Sequence, residues 1–482
     1  MVRCRMFAAL DTVTATSHLR EVQTLRVAKM ESKPDGPSLR VKLRGLRAIV
    51  AVVDQGAVGK AAEVLHLSQP AVTRALQDIE AGLGFPLFDR TARGMLPTAA
   101  GRILGTRARR AFEELAKGCS RAIALVGSAQ CEINRAAHFS AAVGPQALAS
   151  LIAVADMGSG PRAGECLGRS QPTIHRNLLK LEYLVGVSLF QRTPRGTRLT
   201  EPGEALLRGV KLAFAEIAIA EEELAAFGGR LQGRVVVAAL PLSSAFLLPR
   251  AIDRLLSKHP RLNVTVVDGT YDALVQMLRC ADVDMIVGAL RLNSPPSEIA
   301  QEMLFDDGLT VIARAQHPCL LTQTARGLRE LVRYPWIVPL PNTPARTAFE
   351  HAFRIEGVAC PEAQLQVNSP SVVRNLLLES DRLALLSPLQ VDAELRTGQL
   401  VQVPLALRDA SRAIGVATRR NGSLSPGSAG LLDELRVLAA TLQPSHIAAD
   451  RAHPGVRSIS PCRMAPALPN AYSLDLGYPQ NA

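Results

Sequence analysis

The chain repeats itself. Residues 46–101 match residues 148–203 at a constant offset of 102 positions without a gap, and roughly two in five positions are identical. Ser68-Gln69-Pro70 recurs as Ser170-Gln171-Pro172, Arg74 as Arg176, and Glu80 as Glu182. Leu87-Phe88, Arg90-Thr91 and Arg93-Gly94 recur as Leu189-Phe190, Arg192-Thr193 and Arg195-Gly196, and Thr98 and Gly101 as Thr200 and Gly203. Chance does not produce an ungapped match of this length, so the two segments are copies of one module.

The spacing of apolar residues says what the module is. Leu46, Ile49, Val50 and Val53 make one helical face that Gly56 stops. Ala61, Ala62 and Leu65 predict a short second helix, and His66-Leu67-Ser68 a turn. Ser68 is suited to cap a third helix and Pro70 to its first turn. Val72, Leu76 and Ile79 line the inner face of that helix, while Gln69, Thr73, Arg74 and Gln77 face outward. Two helices joined by a tight turn, the later one polar and cationic near its start, form the plan of a DNA-reading helix-turn-helix. Arg and Gln reach base edges in pairs of hydrogen bonds, and Ser and Thr reach phosphates or bases. Residues 88–94 read as a β-turn wing. On these features alone, a three-helix bundle with solvated charges stays open.

Composition narrows the class. The 482 residues carry a formal net charge of +12 and a pI near 9.7, which attracts phosphate backbones or anionic membranes without choosing between them. Aromatic residues are 4 % with one Trp, Trp336, too few for a platform that stacks single-stranded bases. The eight cysteines form no CxxC pair, which argues against a zinc or redox motif and fits a reducing cytoplasm. No apolar run reaches about 18 residues, so no membrane span is expected. The apolar stretch at the start is too short for a signal peptide. A Walker loop, a GxSxG elbow and an HExxH motif are all missing, so the chain is not read as an enzyme, and no metal or cofactor is expected.

The text SQPAVTRALQDIEAGLGFPLFDRTARGMLPTAAG resembles the winged helix of the LysR-type transcriptional regulators, and the second copy reads SQPTIHRNLLKLEYLVGVSLFQRTPRGTRLTEPG. The resemblance places Ser68, Gln69, Pro70, Thr73 and Arg74 on the recognition helix and Arg93 in the wing. The second-copy counterparts are Ser170, Gln171, Pro172, His175, Arg176 and Arg195. It implies a cytoplasmic, sequence-specific regulator of double-stranded DNA, with RNA polymerase as a further partner and a homodimeric or homotetrameric assembly. In that family the helix at 201–230 forms the dimer coiled coil, and 99–117 has a similar character. The copies differ. Lys, Arg, Asp and Glu sum to about +7 over 40–125 and about +2 over 134–230, which favours the first copy for phosphate neutralisation. Arg169 replaces Leu67 in the turn, Gly164 replaces Ala62, and His175 replaces Thr73. An Arg facing the core is costly, whereas one pointing outward is another phosphate contact. Two readings stand: both copies touch DNA, or the second is an adaptor.

The expected division is an extension (1–39), a first module (40–126), a looser stretch, a second module (145–200), a linker helix (201–230), an effector domain (231–442) and a disordered tail (443–482). The fold class is mixed: two all-α winged helix-turn-helix modules precede a two-lobed α/β domain. From Arg234 the text RVVVAALPLSSAFLLPRAIDRLL… resembles the LysR-type effector domain, which has two lobes like a periplasmic binding protein and holds a small-molecule inducer in the cleft. Strand ends give Ser243, Ser244, Thr270 and Ser387 as inducer contacts, with Asn342-Thr343 and Asn368-Ser369 weaker. Each has a plain alternative as a helix cap. Cleft closure that shifts the packing between dimers, and with it the spacing of the DNA heads and the DNA bend, is the expected mechanism. A ligand sensor that does not read DNA is the rival class.

Overall fold

The computed structural model describes residues 38–442 except 92, 93, 128–131, 195, 230, 242, 244, 245, 293–295, 322–326 and 406. The expected tail and all but Ser38 and Leu39 of the expected extension lie outside the described residues. Those two are not loose: Leu39 is buried, and Glu221 accepts hydrogen bonds from the Ser38 hydroxyl and the Leu39 N–H.

The first module comprises α1 (Leu43–Gln55), α2 (Val58–Val64), α3 (Gln69–Leu83) and the hairpin β1 (Phe88–Thr91) and β2 (Gly94–Pro97). A long helix α4 (Ala99–Ala124) follows, then α5 (Glu132–Ala142). The second module comprises α6 (Pro145–Met157), α7 (Gly160–Cys166), α8 (Gln171–Val185) and the hairpin β3 (Phe190–Thr193) and β4 (Gly196–Leu199), leading into α9 (Glu201–Phe227). Every boundary of the second module lies 102 residues after its counterpart. The modules are not all-α, because each wing is a two-stranded antiparallel ladder. The looser stretch before Gly144 is also largely helix α5, which sinks Ala136 and Phe139 into the core. Polar neighbours such as Asn134, Arg135 and His138 dilute its apolar period.

The shared residues are those that hold backbone. Glu80 Oε1 accepts the Leu87 N–H at 2.7 Å, and Glu182 Oε1 the Leu189 N–H at 2.8 Å. Thr98 and Thr200 cap α4 and α9 by accepting from Gly101 and Gly203, and each donates to a carbonyl, of Pro86 and Ser188. Gly94 and Gly196 sit at φ +124° and +117°, where a Cβ would strike the carbonyl oxygens of Gly56 and Gly158. Only glycine suits that left-handed, crowded site.

The two long helices pack against each other. At Gly118 and Gly209 their backbones touch: a Cβ on Gly209 would lie 2.6 Å from the Gly118 Cα. Arg107, near the start of α4, reaches Glu216 at 2.9 Å and Glu223 at 2.5 Å toward the end of α9. Gly118 meets Leu206 and Gly209 near the start of α9, so the helices run antiparallel. One apolar cluster runs from Leu39 to Leu224 through both modules and both long helices. The helix at 201–230, expected to pair between chains, has a partner within its own chain.

Two sheets form the C-terminal region. The first has strand order β6-β5-β7-β13-β8 and comprises β5 (Gly233–Ala239), β6 (Leu262–Asp268), β7 (Met285–Ala289), β8 (Ile299–Gly308) and β13 (Ser411–Arg419). The second, β10-β11-β9-β12, comprises β9 (Thr310–Arg314), β10 (Trp336–Ile337), β11 (Leu383–Leu386) and β12 (Leu400–Gln402). β5 runs parallel to β6 and β7, whereas β13 runs antiparallel to β7 and β8. Helices α10 (Leu247–Lys258), α11 (Tyr271–Arg279) and α16 (Pro426–Leu442) cover the first sheet, and α12 (Leu328–Leu331), α13 (Pro344–Ile355), α14 (Pro370–Glu379) and α15 (Asp392–Arg396) belong with the second. The chain crosses between sheets twice, from β8 to β9 and from β12 to β13. Among the described residues no single helix is long and apolar enough to cross a membrane.

Gly209→Ala is expected to destabilise the chain by about 1–3 kcal/mol in urea unfolding, because the α4 backbone at Glu114 and Gly118 blocks the methyl group. Helix propensity alone predicts a gain of about 1 kcal/mol, so the sign separates the two effects. Where α9 turns into β5, burial pushes the Glu222 carboxyl up to about 7, against hydrogen bonds from Ser425 and the Arg234 N–H. A carboxyl raised by folding stabilises the fold fully at acidic pH and loses that contribution as pH rises through about 7. The thermal midpoint is therefore expected to fall between about pH 4.5 and 7 and to level off above that, and Glu222→Gln to flatten the fall.

Candidate nucleic-acid interface and effector site

The two candidate reading helices are built alike. Ser68 and Ser170 occupy the positions before α3 and α8, each with a proline in the first turn. Ser68 makes no side-chain capping bond, and Ser170 instead shares a hydrogen bond of 2.9 Å with Thr173. The capping expected of Ser68 is thus absent, and proline with extended backbone starts the helix. Val72, Leu76 and Ile79 are buried, as are Ile174, Leu178 and Leu181. Those inner faces turn Ser68, Gln69, Pro70, Arg74 and Gln77 to solvent, with Thr73 half-buried. In the second copy Ser170, Gln171, Pro172, His175 and Arg176 are all exposed. Neither Arg74 nor Arg176 has an acidic partner among the described residues. Arg93 and Arg195 lie outside the described residues.

Arg169 faces solvent, which removes the cost of a charged residue in that turn. Gly164 explains how the turn accommodates the change. A Cβ there would lie 2.6 Å from the Arg169 carbonyl oxygen, so this turn leaves no room for the methyl group that Ala62 carries. Sequence reasoning missed a repeated cation. Lys60 on α2 and Arg162 on α7 occupy equivalent positions and are both exposed, one turn from the reading helices. Charge kept across non-identical residues at offset 102 was the available signal.

The modules are tied to their long helices by equivalent pairs. Asp54 meets Arg109, and Asp156 meets Lys211, again 102 residues on. Lys211 also reaches Asp282 after α11 at 3.0 Å. Arg208 and Arg279 share Glu298 at 3.0 Å each, and Arg110 donates to Ser423 at 2.7 Å. The long helices therefore touch the first lobe through charged side chains.

The four inducer candidates separate. Thr270 is exposed at the end of β6 and caps α11 by accepting the Ala273 N–H. Ser244 lies outside the described residues. Ser243 is buried with its hydroxyl between the carbonyls of Leu240 and Val287, at 2.8 and 2.6 Å. Its hydroxyl holds the β5 exit against β7 and is not open to a ligand. Ser387 is fully buried; its hydroxyl donates to Asp307 and accepts the Leu389 N–H. Asp307 in turn takes the Arg412 guanidinium at 3.1 Å, and Arg412 donates to Gln390. Burial pushes the Asp307 carboxyl up while Arg412 and Ser387 pull it down. This cluster sits where β8, β11 and β13 end or begin, so it pins the two crossovers. Ser387 is part of that pin, and its expected inducer contact is withdrawn. The strand-end rule located both serines correctly but cannot tell a hydroxyl aimed at the cleft from one aimed at backbone. Thr343 caps α13, and Ser369 bonds Ser371 at the start of α14. No cluster of His, Cys, Asp or Glu able to hold a metal exists among the described residues. Ser387→Ala is expected to lower stability by about 1–3 kcal/mol, because buried Asp307 loses a donor; a residue that only touches inducer would leave the unfolding midpoint unmoved.

Family comparison agrees with this geometry. The model described as "LysR substrate binding domain" matches residues 228–439. The model "Bacterial regulatory helix-turn-helix protein, lysR family" matches twice, at 43–102 and 145–204. The transcriptional regulator GalR of Pseudomonas putida is 34 % identical over 395 residues, 82 % of this chain and 96 % of that protein. PcaQ of Agrobacterium fabrum is 28 % identical over 295 residues, 61 % of this chain and 94 % of its own. The GalR match is long enough to include both modules, whereas the PcaQ match is only as long as one module with the effector region. Among solved structures, a full-length OxyR variant from Pseudomonas aeruginosa has a TM-score of 0.49 at 21 % identity, over 60 % of this chain and 94 % of that one. CbnR complexed with target DNA has a TM-score of 0.46 at 19 % identity, over 61 % and 98 %. With an N-terminal helix-turn-helix, a two-lobed α/β domain and relatives that regulate transcription, the chain belongs to the LysR-type family of effector-controlled DNA-binding regulators, which are not enzymes.

Proposed function

We propose that both winged helix-turn-helix modules read double-stranded DNA, and that the two-lobed, periplasmic-binding-protein-like domain takes a small-molecule inducer that alters the grip on DNA. The observation that carries the first part is the matched exposure of Gln69, Arg74, Gln171 and Arg176 on two helices whose opposite faces are buried. Arg74 and Arg176 make base-edge contacts. Ser68, Thr73, Ser170 and His175 complete the reading surface, Pro70 and Pro172 set the helix starts, and Arg93 and Arg195 reach flanking DNA from the wings. Lys60 and Arg162 add phosphate contacts. For the inducer, Thr270 is the leading contact, with Ser244, Thr343 and Ser369 as further members. A polar or anionic small molecule suits helix starts, where N–H groups point outward. The protein acts in the cytoplasm, through RNA polymerase, and chains associate as dimers or tetramers.

A second reading has its own support. Lys211, which holds the second module through Asp156, also holds the first lobe through Asp282, as an adaptor would. A footprint on the DNA upstream of the protein's own reading frame separates the two. Arg74→Ala and Arg176→Ala are each expected to lower affinity about 10- to 100-fold and to erase different parts of the protected region. Protection that responds only to Arg74→Ala makes the second module an adaptor.

A further inference from the structure

We infer that the two heads of one chain form a single composite reader for a duplex carrying two unlike half-sites about one helical turn apart. This rests on the reading that both modules contact DNA. Each head leaves from the N-terminus of its own long helix, and the helices are antiparallel, so the heads stand at opposite ends of the pair. Taking Gly118 opposite Gly209, the start of α4 lies opposite the end of α9. The two N-termini are then about 40 Å apart at 1.5 Å per residue. Half-sites in successive major grooves of one DNA face are about 34–36 Å apart.

The arrangement is also nearly unchanged when the copies are exchanged. Asp54–Arg109 and Asp156–Lys211 fix each head to its helix at equivalent places. The short segment before each head packs on the other copy's long helix: Ser38 and Leu39 on α9, and α5 on α4. A local two-fold of this kind puts both reading helices on the same side of the pair.

Charge shows why the partner is the other copy. Arg107, Glu114 and Arg121 of α4 have Gly209, Glu216 and Glu223 as their repeat counterparts on α9. In the chain, Arg107 meets Glu216 and Glu223. Two α4 helices in that register would set Arg107 against Glu114 and Arg121, replacing one carboxylate by a cation. Two α9 helices would leave Glu216 and Glu223 facing Gly209 with no cation. Each helix is complementary to the other and not to itself.

The outward residues of the heads differ, so the half-sites must differ. Ala71, Thr73, Ala75, Gln77 and Asp78 stand where the second copy has Thr173, His175, Asn177, Leu179 and Lys180. The segment read by one chain therefore lacks dyad symmetry.

The test selects binders of the full-length protein from a library of random-sequence duplexes. Two different motifs are expected, centred about 10 base pairs apart. Arg74→Ala is expected to erase sequence preference at one motif and Arg176→Ala at the other. Both residues are exposed, and circular dichroism checks that the variants fold. Inserting 5 base pairs between the motifs turns them to opposite faces and is expected to weaken binding at least about 10-fold. The two variants are then co-expressed. Heads paired within one chain leave every pair with one disabled reader, so affinity stays at the level of the single variants. Recovery to within about fourfold of wild type means that paired heads come from different chains and overturns the inference, while both modules remain readers. Two copies of one motif, or indifference to the insertion, overturns it as well. If Arg176→Ala alters neither motif nor affinity, the two-reader reading itself falls.

Discussion

The crossing of α4 and α9 is the contact on which the N-terminal half depends. Two glycines let the backbones touch, and that closeness brings Arg107 between Glu216 and Glu223 with most water excluded. Burial pulls the guanidinium's protonation down, but the two carboxylates more than offset it. A buried cluster of this sort adds little net stability, since each charge gives up its hydration. Its larger effect is on choice of partner, because a helix that offers Arg107 no carboxylate leaves a buried cation unpaired. The apolar cluster that spans both modules supplies the stability, and the ions supply the register.

The same helices carry the connection to the effector domain, and the two copies use it unequally. Among the described residues Arg109 pairs with Asp54 of its own head, whereas its counterpart Lys211 divides its charge between Asp156 of the second head and Asp282 of the first lobe. A movement of the lobe that draws on Lys211 changes the pull on Asp156. The second head is thus electrostatically nearer to the inducer domain than the first. In the effector domain, the Asp307–Ser387–Arg412 cluster joins the two crossover strands.

The repeat made most of the head architecture legible. The helices, the turn and the wing followed from apolar spacing in the first copy, and the constant offset carried them to the second. What stayed hidden was tertiary. The pairing of 99–124 with 201–227 is invisible to periodicity, because a stripe that packs within a chain looks the same as one that packs between chains. Helix α5 escaped because, among the described residues, Ala136 and Phe139 form its buried face between polar neighbours. In the effector domain the strands and helices were clear, but Ser243 and Ser387 show the limit of a rule based on strand ends. Their hydroxyls turn toward carbonyls and a carboxylate contributed by residues far away in sequence, Val287 and Asp307.

The mismatch between Arg107 and its counterpart Gly209 has an evolutionary side. A freshly duplicated head would have had two identical helices, each able to pair with itself across two chains. Once one copy held the cation and the other the glycine and the opposing Glu223, deleting the first left Glu216 and Glu223 without a cation, and deleting the second set Arg107 against Arg121. The duplication then acts as a ratchet: the ancestral single-headed form cannot be regained by loss of a module, only by rebuilding the helix face that remains.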